Sequence, residues 1–151
     1  MAVGPFLTHD TGFASLLSGD DWVTDAYYAV LATTTETPDR AGQVDYVDIL
    51  NEVASGGDYS PIALASKTVA VQATKIRFDC GKITFTASGN ITARYLYILK
   101  GTAATPAAAD EIVGHIDLNT DGAANLSSIG AEFSYDPHAN GLFEVERSVA
   151  A

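Results

Sequence analysis

Apolar residues change their spacing along this chain, and each spacing predicts a different element. In TGFASLLSGDDW, Phe13, Leu16 and Leu17 fall at i, i+3 and i+4, and Ser18-Gly19 follows. That pattern predicts a helix of two turns stopped by glycine. DAYYAVLATT (25–34) sets Tyr27, Ala29 and Leu31 on one face and Tyr28, Val30 and Ala32 on the other. Both faces are apolar, which predicts a strand covered on both sides. TETPDRAGQ (35–43) has the polar, Pro and Gly content of an exposed loop. VDYVDILNEV (44–53) carries Val44, Val47, Ile49, Leu50 and Val53 near helical spacing with acids between them, predicting a short acidic helix before the Ser-Gly-Gly-Asp at 55–58.

Beyond Tyr59-Ser60-Pro61 the spacing becomes two. KTVAVQ (67–72), TKIRFDC (74–80) and KITFTA (82–87) are short, β-branched and alternating. In the second, Ile76, Phe78 and Cys80 oppose Lys75, Arg77 and Asp79; strands with one wet face imply an antiparallel sheet. ITARYLYILKG (91–101) is apolar on both faces in its middle, which predicts the central strand. An Ala-rich linker or short turn of helix (102–110), a strand EIVGHIDLN (111–119) and a loop (120–128) follow, then strands IGAEFSYD (129–136) and LFEVERSV (142–149), joined by a loop containing Asn140-Gly141. The expected fold is all-β: an antiparallel β-sandwich or barrel of about eight strands, with one or two short helices in the N-terminal third. Residues 1–151 read as a single β domain, with MAVGPFLTHDTG and RSVAA available as short N- and C-terminal arms. Leu31, Ile76, Phe78, Phe85, Tyr95, Tyr97 and Ile98 are expected to be buried.

Composition sharpens this picture. The 151 residues are 47% apolar and 18% charged, enough for one substantial core, so disorder is not expected. The net charge of −11 has the wrong sign for a nucleic-acid or anionic-lipid partner. No run approaches the ~18 apolar residues of a membrane span, and the N-terminus lacks the pattern of a secretory signal, so synthesis and folding in a cytoplasm are expected. Charge is segmented. Residues 1–58 hold ten acids against Arg40, residues 59–100 six bases against Asp79, and residues 101–151 eight acids against Arg147. Either the segments pair within the chain, or identical subunits dock acidic faces on basic ones.

Candidate chemistry is sparse. The chain has no GxSxG, phosphate loop, HExxH or CxxC, and neighbours such as Asp20/Asp21, Asp110/Glu111 and Glu144/Glu146 arise readily in a chain with 19 acids. No enzymatic activity is expected. Cys80 on an apolar face reads as an inert core thiol; His9 and His138 read as loop-surface residues, and His115 as a rim or core residue. One motif is sharper: Asp117-Leu118-Asn119-Thr120-Asp121-Gly122 matches the opening of a calcium loop, with Asp117, Asn119 and Asp121 as candidate ligands. Its twelfth position is Ser128, where such loops carry Glu, and a strand precedes it. A strand leaving into an Asx-rich turn produces the same run. Calcium is therefore a possible ligand, and no other cofactor is expected.

Several segments together resemble a family of small structural proteins encoded by tailed bacteriophages. They are DAYYAVLATT, LNEVASGGDYSPIALASKTVAV with Asn51-Glu52-Val53 and Lys67-Thr68-Val69, KIRFDCGKITFTASG, the strand opening Ile91-Thr92-Ala93-Arg94-Tyr95, and the strand around Gly114-His115-Ile116-Asp117. The likeness runs over about residues 12–120 and is one of β-strand pattern; the loop at 35–43 and the Ala-rich insert at 102–110 depart from it. It implies a virion component: a capsid decoration (cement) protein on the outer surface of the capsid, made in the host cytoplasm. Its implied partners are itself, as a homotrimer, and the major capsid protein. A tail or neck protein is the alternative within the virion, and a small-ligand or glycan-binding β domain the alternative outside it.

Overall fold

A computed structural model describes residues 2–146. In chain order these form β1 (Phe6–Thr8), α1 (Asp10–Ser18), β2 (Tyr27–Ala32), a single 3-10 turn (Tyr46–Asp48), β3 (Ile62–Ala63), β4 (Thr68–Val71), β5 (Lys75–Asp79), β6 (Ile83–Gly89), β7 (Thr92–Ala93), β8 (Tyr95–Lys100), β9 (Ile112–Asp117), β10 (Leu126–Ser127), β11 (Ala131–Tyr135) and β12 (Phe143–Glu146). All pairings are antiparallel. A five-stranded sheet in the order β1-β9-β8-β2-β3 is faced by the smaller sheets β12-β5-β4, β11-β6 and β10-β7. The result is a sandwich, not a closed barrel. Eight of the twelve described strands have four or more residues, and these match the eight alternating runs of the sequence. The other four are two or three residues long, too short for a period to register.

The five-stranded sheet is apolar on both faces because each face meets a separate core. Tyr27, Ala29 and Leu31 of β2 join Leu96 and Ile98 of β8 in the main core, which also takes Phe78, Phe85, Phe133 and Phe143 from the opposing layer. Tyr28, Val30, Ala32, Tyr97 and Leu99 form a second core on the other face, with Ile49, Ile112 and, packed against them, Tyr46 and Ala103. Loops, not a sheet, therefore cover that face. β8 sits in the middle of the five strands, as its two apolar faces predict. The run at 91–101 is interrupted at Arg94, which separates β7 from β8.

Four expectations about the fold are corrected. Residues 44–53 form no α-helix: the Asp48 carboxylate accepts the Val44 and Asp45 N–H groups at 2.9 and 3.0 Å, and this local turn competes with helical bonding. Val47 and Leu50 point outward as a consequence, Leu50 being 81% exposed. The segment 35–43 is anchored at both ends by buried side chains, Glu36 and Gln43. The N-terminal stretch is no free arm, since β1 completes one edge of the sheet; RSVAA (147–151) lies outside the described residues. Among the expected core residues, Leu31, Phe78, Phe85, Tyr97 and Ile98 are buried, but Ile76 and Tyr95 are half-buried. Tyr95 flanks the strand interruption at Arg94, with the Arg94 guanidinium 5.2 Å from its ring centroid, and Ile76 lies beside the exposed Val71 of β4.

Candidate functional site

The N-terminus is locked onto β9 through His9, the residue between β1 and α1. A fifth correction lies here: His9 is fully buried, not a loop-surface residue. Its N–H reaches the Val113 carbonyl at 2.8 Å, extending the β1–β9 ladder, and its own carbonyl accepts Phe13 N–H in the first turn of α1. Gly12 brings α1 onto β9 so closely that a methyl group there would run into the Ile112 carbonyl. The ring of His9 lies 2.9 Å from the Gln43 carbonyl through Nδ1 and 2.9 Å from His115 Nδ1 through Nε2.

A carbonyl only accepts, so His9 Nδ1 carries hydrogen. Burial favours the neutral form of both rings, and a neutral His9 leaves Nε2 to accept from His115 Nδ1–H. Burial holds both below the ordinary histidine range, and His115 is pushed down to about 4 with help from His9 and Arg40. The network continues through Gln43, whose Oε1 accepts Tyr97 O–H at 3.1 Å and whose Nε2 donates to Glu36 Oε1 at 2.6 Å. Glu36 Oε2 accepts the backbone and side-chain N–H groups of Asn51 at 2.7 and 3.1 Å. Each group has a partner inside the fold, which suits a structural clasp.

Beside this clasp the sandwich is open. A groove of about 890 Å³ runs between β1 and the loop and strand from Ser134 to Glu146. β1, β11 and β12 are all terminal strands of their sheets, so three strand edges border this side. The floor is aromatic: Phe143 stacks on Phe6 at 4.9 Å and on Phe78 at 4.7 Å, with Phe13 edge-on at 6.2 Å. Arg40 crosses one rim, its Nε donating to the Thr8 carbonyl at 2.6 Å. Asp136, Glu144 and Glu146 lie on the other side. Glu144 is paired with Lys75 and Arg77; Asp136 and Glu146 make no ion pair with a described residue. A second groove of about 340 Å³ continues past β11, and Val3 lines both.

The calcium-loop residues fall at the end of β9 and just beyond. Burial raises the Asp117 carboxyl, but the Arg94 ion pair and the Asn119 N–H outweigh it and hold it below the usual range. Arg94 Nε and Nη2 donate to the two Asp117 oxygens at 3.1 and 2.9 Å, and Asn119 N–H adds a bond at 2.9 Å to the first. Asn119 Nδ2 turns to the Ala124 carbonyl, and Asp121 is exposed. These bonds make the run a strand-end turn held by arginine. No group of three or more His, Cys, Asp or Glu positioned for a metal occurs among the described residues. His115 lies in the core, His138 is exposed, and the buried Cys80 thiol is pushed up to about 12 by burial, out of the nucleophilic range.

The groove itself was not read from the sequence. Its one local signal was Phe6-Leu7-Thr8, a β-prone triplet between Pro5 and His9, too short to separate from a terminus. No protein-family model, no curated protein and no solved structure matches this chain. The functional reading therefore rests on its own geometry and on the phage-family resemblance.

Proposed function

We propose that this protein is a bacteriophage virion structural protein: a capsid decoration protein that binds the outer surface of the major capsid protein lattice as a homotrimer. The observation that carries the reading is the open side of the sandwich, where strand edges border an apolar-floored groove with acids at its rim that pair with no described residue. Such a surface suits adhesion between polypeptides. Contacts of this size are weak singly, and three copies on one axis multiply them through effective concentration.

The charge distribution supports a protein partner over the packaged genome. Five of the six bases of the middle segment, Lys75, Arg77, Lys82, Arg94 and Lys100, pair with acids of the same chain, and the sixth, Lys67, lies over the Tyr27 ring, so most of that positive charge is used internally. Carbohydrate binding has less support, because no described aromatic residue is exposed. The test is mass spectrometry and electron microscopy of particles purified from the phage that carries the gene, with sedimentation of the isolated protein. The expected result is stoichiometric density on the outer capsid surface and a trimer in solution. Density in the tail or neck would relocate it, and absence from particles would overturn the reading.

A further inference from the structure

We propose that the open side of the sandwich receives an extended segment of a partner polypeptide, apolar side chains alternating with Lys or Arg, as an added strand between β1 and β12. The assignment deepens the virion reading by naming what the partner presents, and it rests on that reading only for where the partner resides.

The hydrogen-bond phase of β1 supplies the first argument. His9 N–H bonds to Val113, and the register pairs Leu7 with His115, so His9 and Leu7 turn their main-chain groups toward β9. Phe6 and Thr8 then turn theirs away, on the side where no described strand pairs. β9 confirms the phase from its other edge, because Leu118 N–H bonds to Arg94 and the same alternation gives Gly114 and Ile116 to β8. Of the outward groups, Arg40 takes the Thr8 carbonyl. Phe6 N–H, Phe6 C=O and Thr8 N–H have no hydrogen-bond partner among the described residues and can pair with a further strand.

Side-chain chemistry supplies the second. Phe6, Phe13 and Phe143, which line the groove, offer contact to apolar residues at alternate positions. Asp136 and Glu146 stand at the rim without ion pairs to described residues, on a molecule of net charge −11 whose bases at 75, 77, 82, 94 and 100 are already paired. A basic segment answers that charge; an acidic one is repelled. The volume of about 890 Å³ lies at the top of the ordinary pocket range of about 300–1,000 Å³, ample for several extended residues.

The test uses the full chain and a fluorescein-labelled heptapeptide alternating lysine and valine. Fluorescence anisotropy is expected to give saturable binding with Kd on the order of 10–100 μM, weakening about fivefold or more from low to high salt. Hydrogen exchange at the Phe6 and Thr8 amides is expected to slow on binding. The double variant D136K/E146K is expected to weaken binding about tenfold with an unchanged circular-dichroism spectrum. Equal binding of a glutamate–valine peptide, equal binding of a peptide with proline at its centre, or unprotected Phe6 and Thr8 amides would each overturn the proposal. So would a tightened Kd after deletion of residues 147–151, which assigns the groove to this chain's own C-terminal segment. Dissociation of a self-associated form by the peptide assigns the groove to a second copy, with the same consequence. Failure of the peptide while the protein still decorates particles overturns the groove assignment alone; binding by a protein absent from particles supports the groove and overturns the virion reading.

Discussion

Strand β2 has no exposed residue and β4 has no buried one, although YYAVLA and TVAV are both runs of β-prone, largely apolar residues. β2 lies between β8 and β3, with a core against each face. β4 ends the three-stranded sheet; Val69 and Val71 stand opposite Phe78 and Ile76 in register but stay exposed, Val71 at 74%. Position in the sheet order, not residue type, separates the two. The same contrast divides the molecule: both faces of the five-stranded sheet are covered by cores and the His9–His115 clasp fixes β1 to it, while the outer edges of β1, β4, β11 and β12 pair with no described strand.

The sharpest test of this contrast is Leu96→Ala. Leu96 is fully buried in the main core opposite Leu31, and truncation there is expected to cost about 2–5 kcal/mol, measured by urea unfolding. A loss below about 1 kcal/mol would break the picture of β8 as the packed centre.

Acid should open the sealed side next. His115 has its pKa depressed from 6.5 to about 4 in the folded protein, by burial first and then by His9 and Arg40, with Asp117 opposing. The unfolded chain therefore takes the proton first as pH falls. Stability is complete above about pH 6.5 and lost progressively down to about pH 4, with the gap corresponding to about 3 kcal/mol. His9 is depressed for the same leading reason, against the Gln43 carbonyl and the carboxylates of Asp39 and Asp10, and adds in the same direction. Urea titrations at several pH values check this, and a flat profile from pH 7 to 4.5 would exclude a neutral buried pair.

Arg94 bears on whether charge acts within or between subunits. Its ion pair with Asp117 is partly exposed, so Arg94→Ala is expected to cost about 1 kcal/mol of folding stability and to leave the sedimentation profile unchanged. A shift in association at unchanged stability would move the role of the charge segments to the interface between copies. The smallest effect is expected at the open edge, where Val71→Ala should change stability by less than about 0.5 kcal/mol. A cost above about 2 kcal/mol would mean that β4 is covered in solution.

Strand existence was legible wherever four or more residues alternated, because period two reports which residues can share a buried face. That is why β8 could be placed at the centre and why the two faces of β2 divide between cores as their sequence alternates. The helix expected at 44–53 failed because its apolar spacing ignored Asp48, whose carboxylate closes a local turn instead. His9 and Gln43 looked like loop residues because key partners lie far away in sequence: His115 is 106 positions from His9, and Tyr97 is 54 from Gln43. Local composition holds no information on such contacts.

The sequence by itself determined the antiparallel β class, the central strand, an inert Cys80 and an acidic molecule. These follow from residue type and spacing alone. Tertiary structure decided what sits beside what: the internal pairing of the bases, the burial of His9, the docking of β1 on β9 and the opening beside β12. The physical reason is that a strand's alternation specifies its faces but leaves its edges unspecified. Whether an edge is paired, clasped or free depends on which distant segment reaches it first in the folded sheet order.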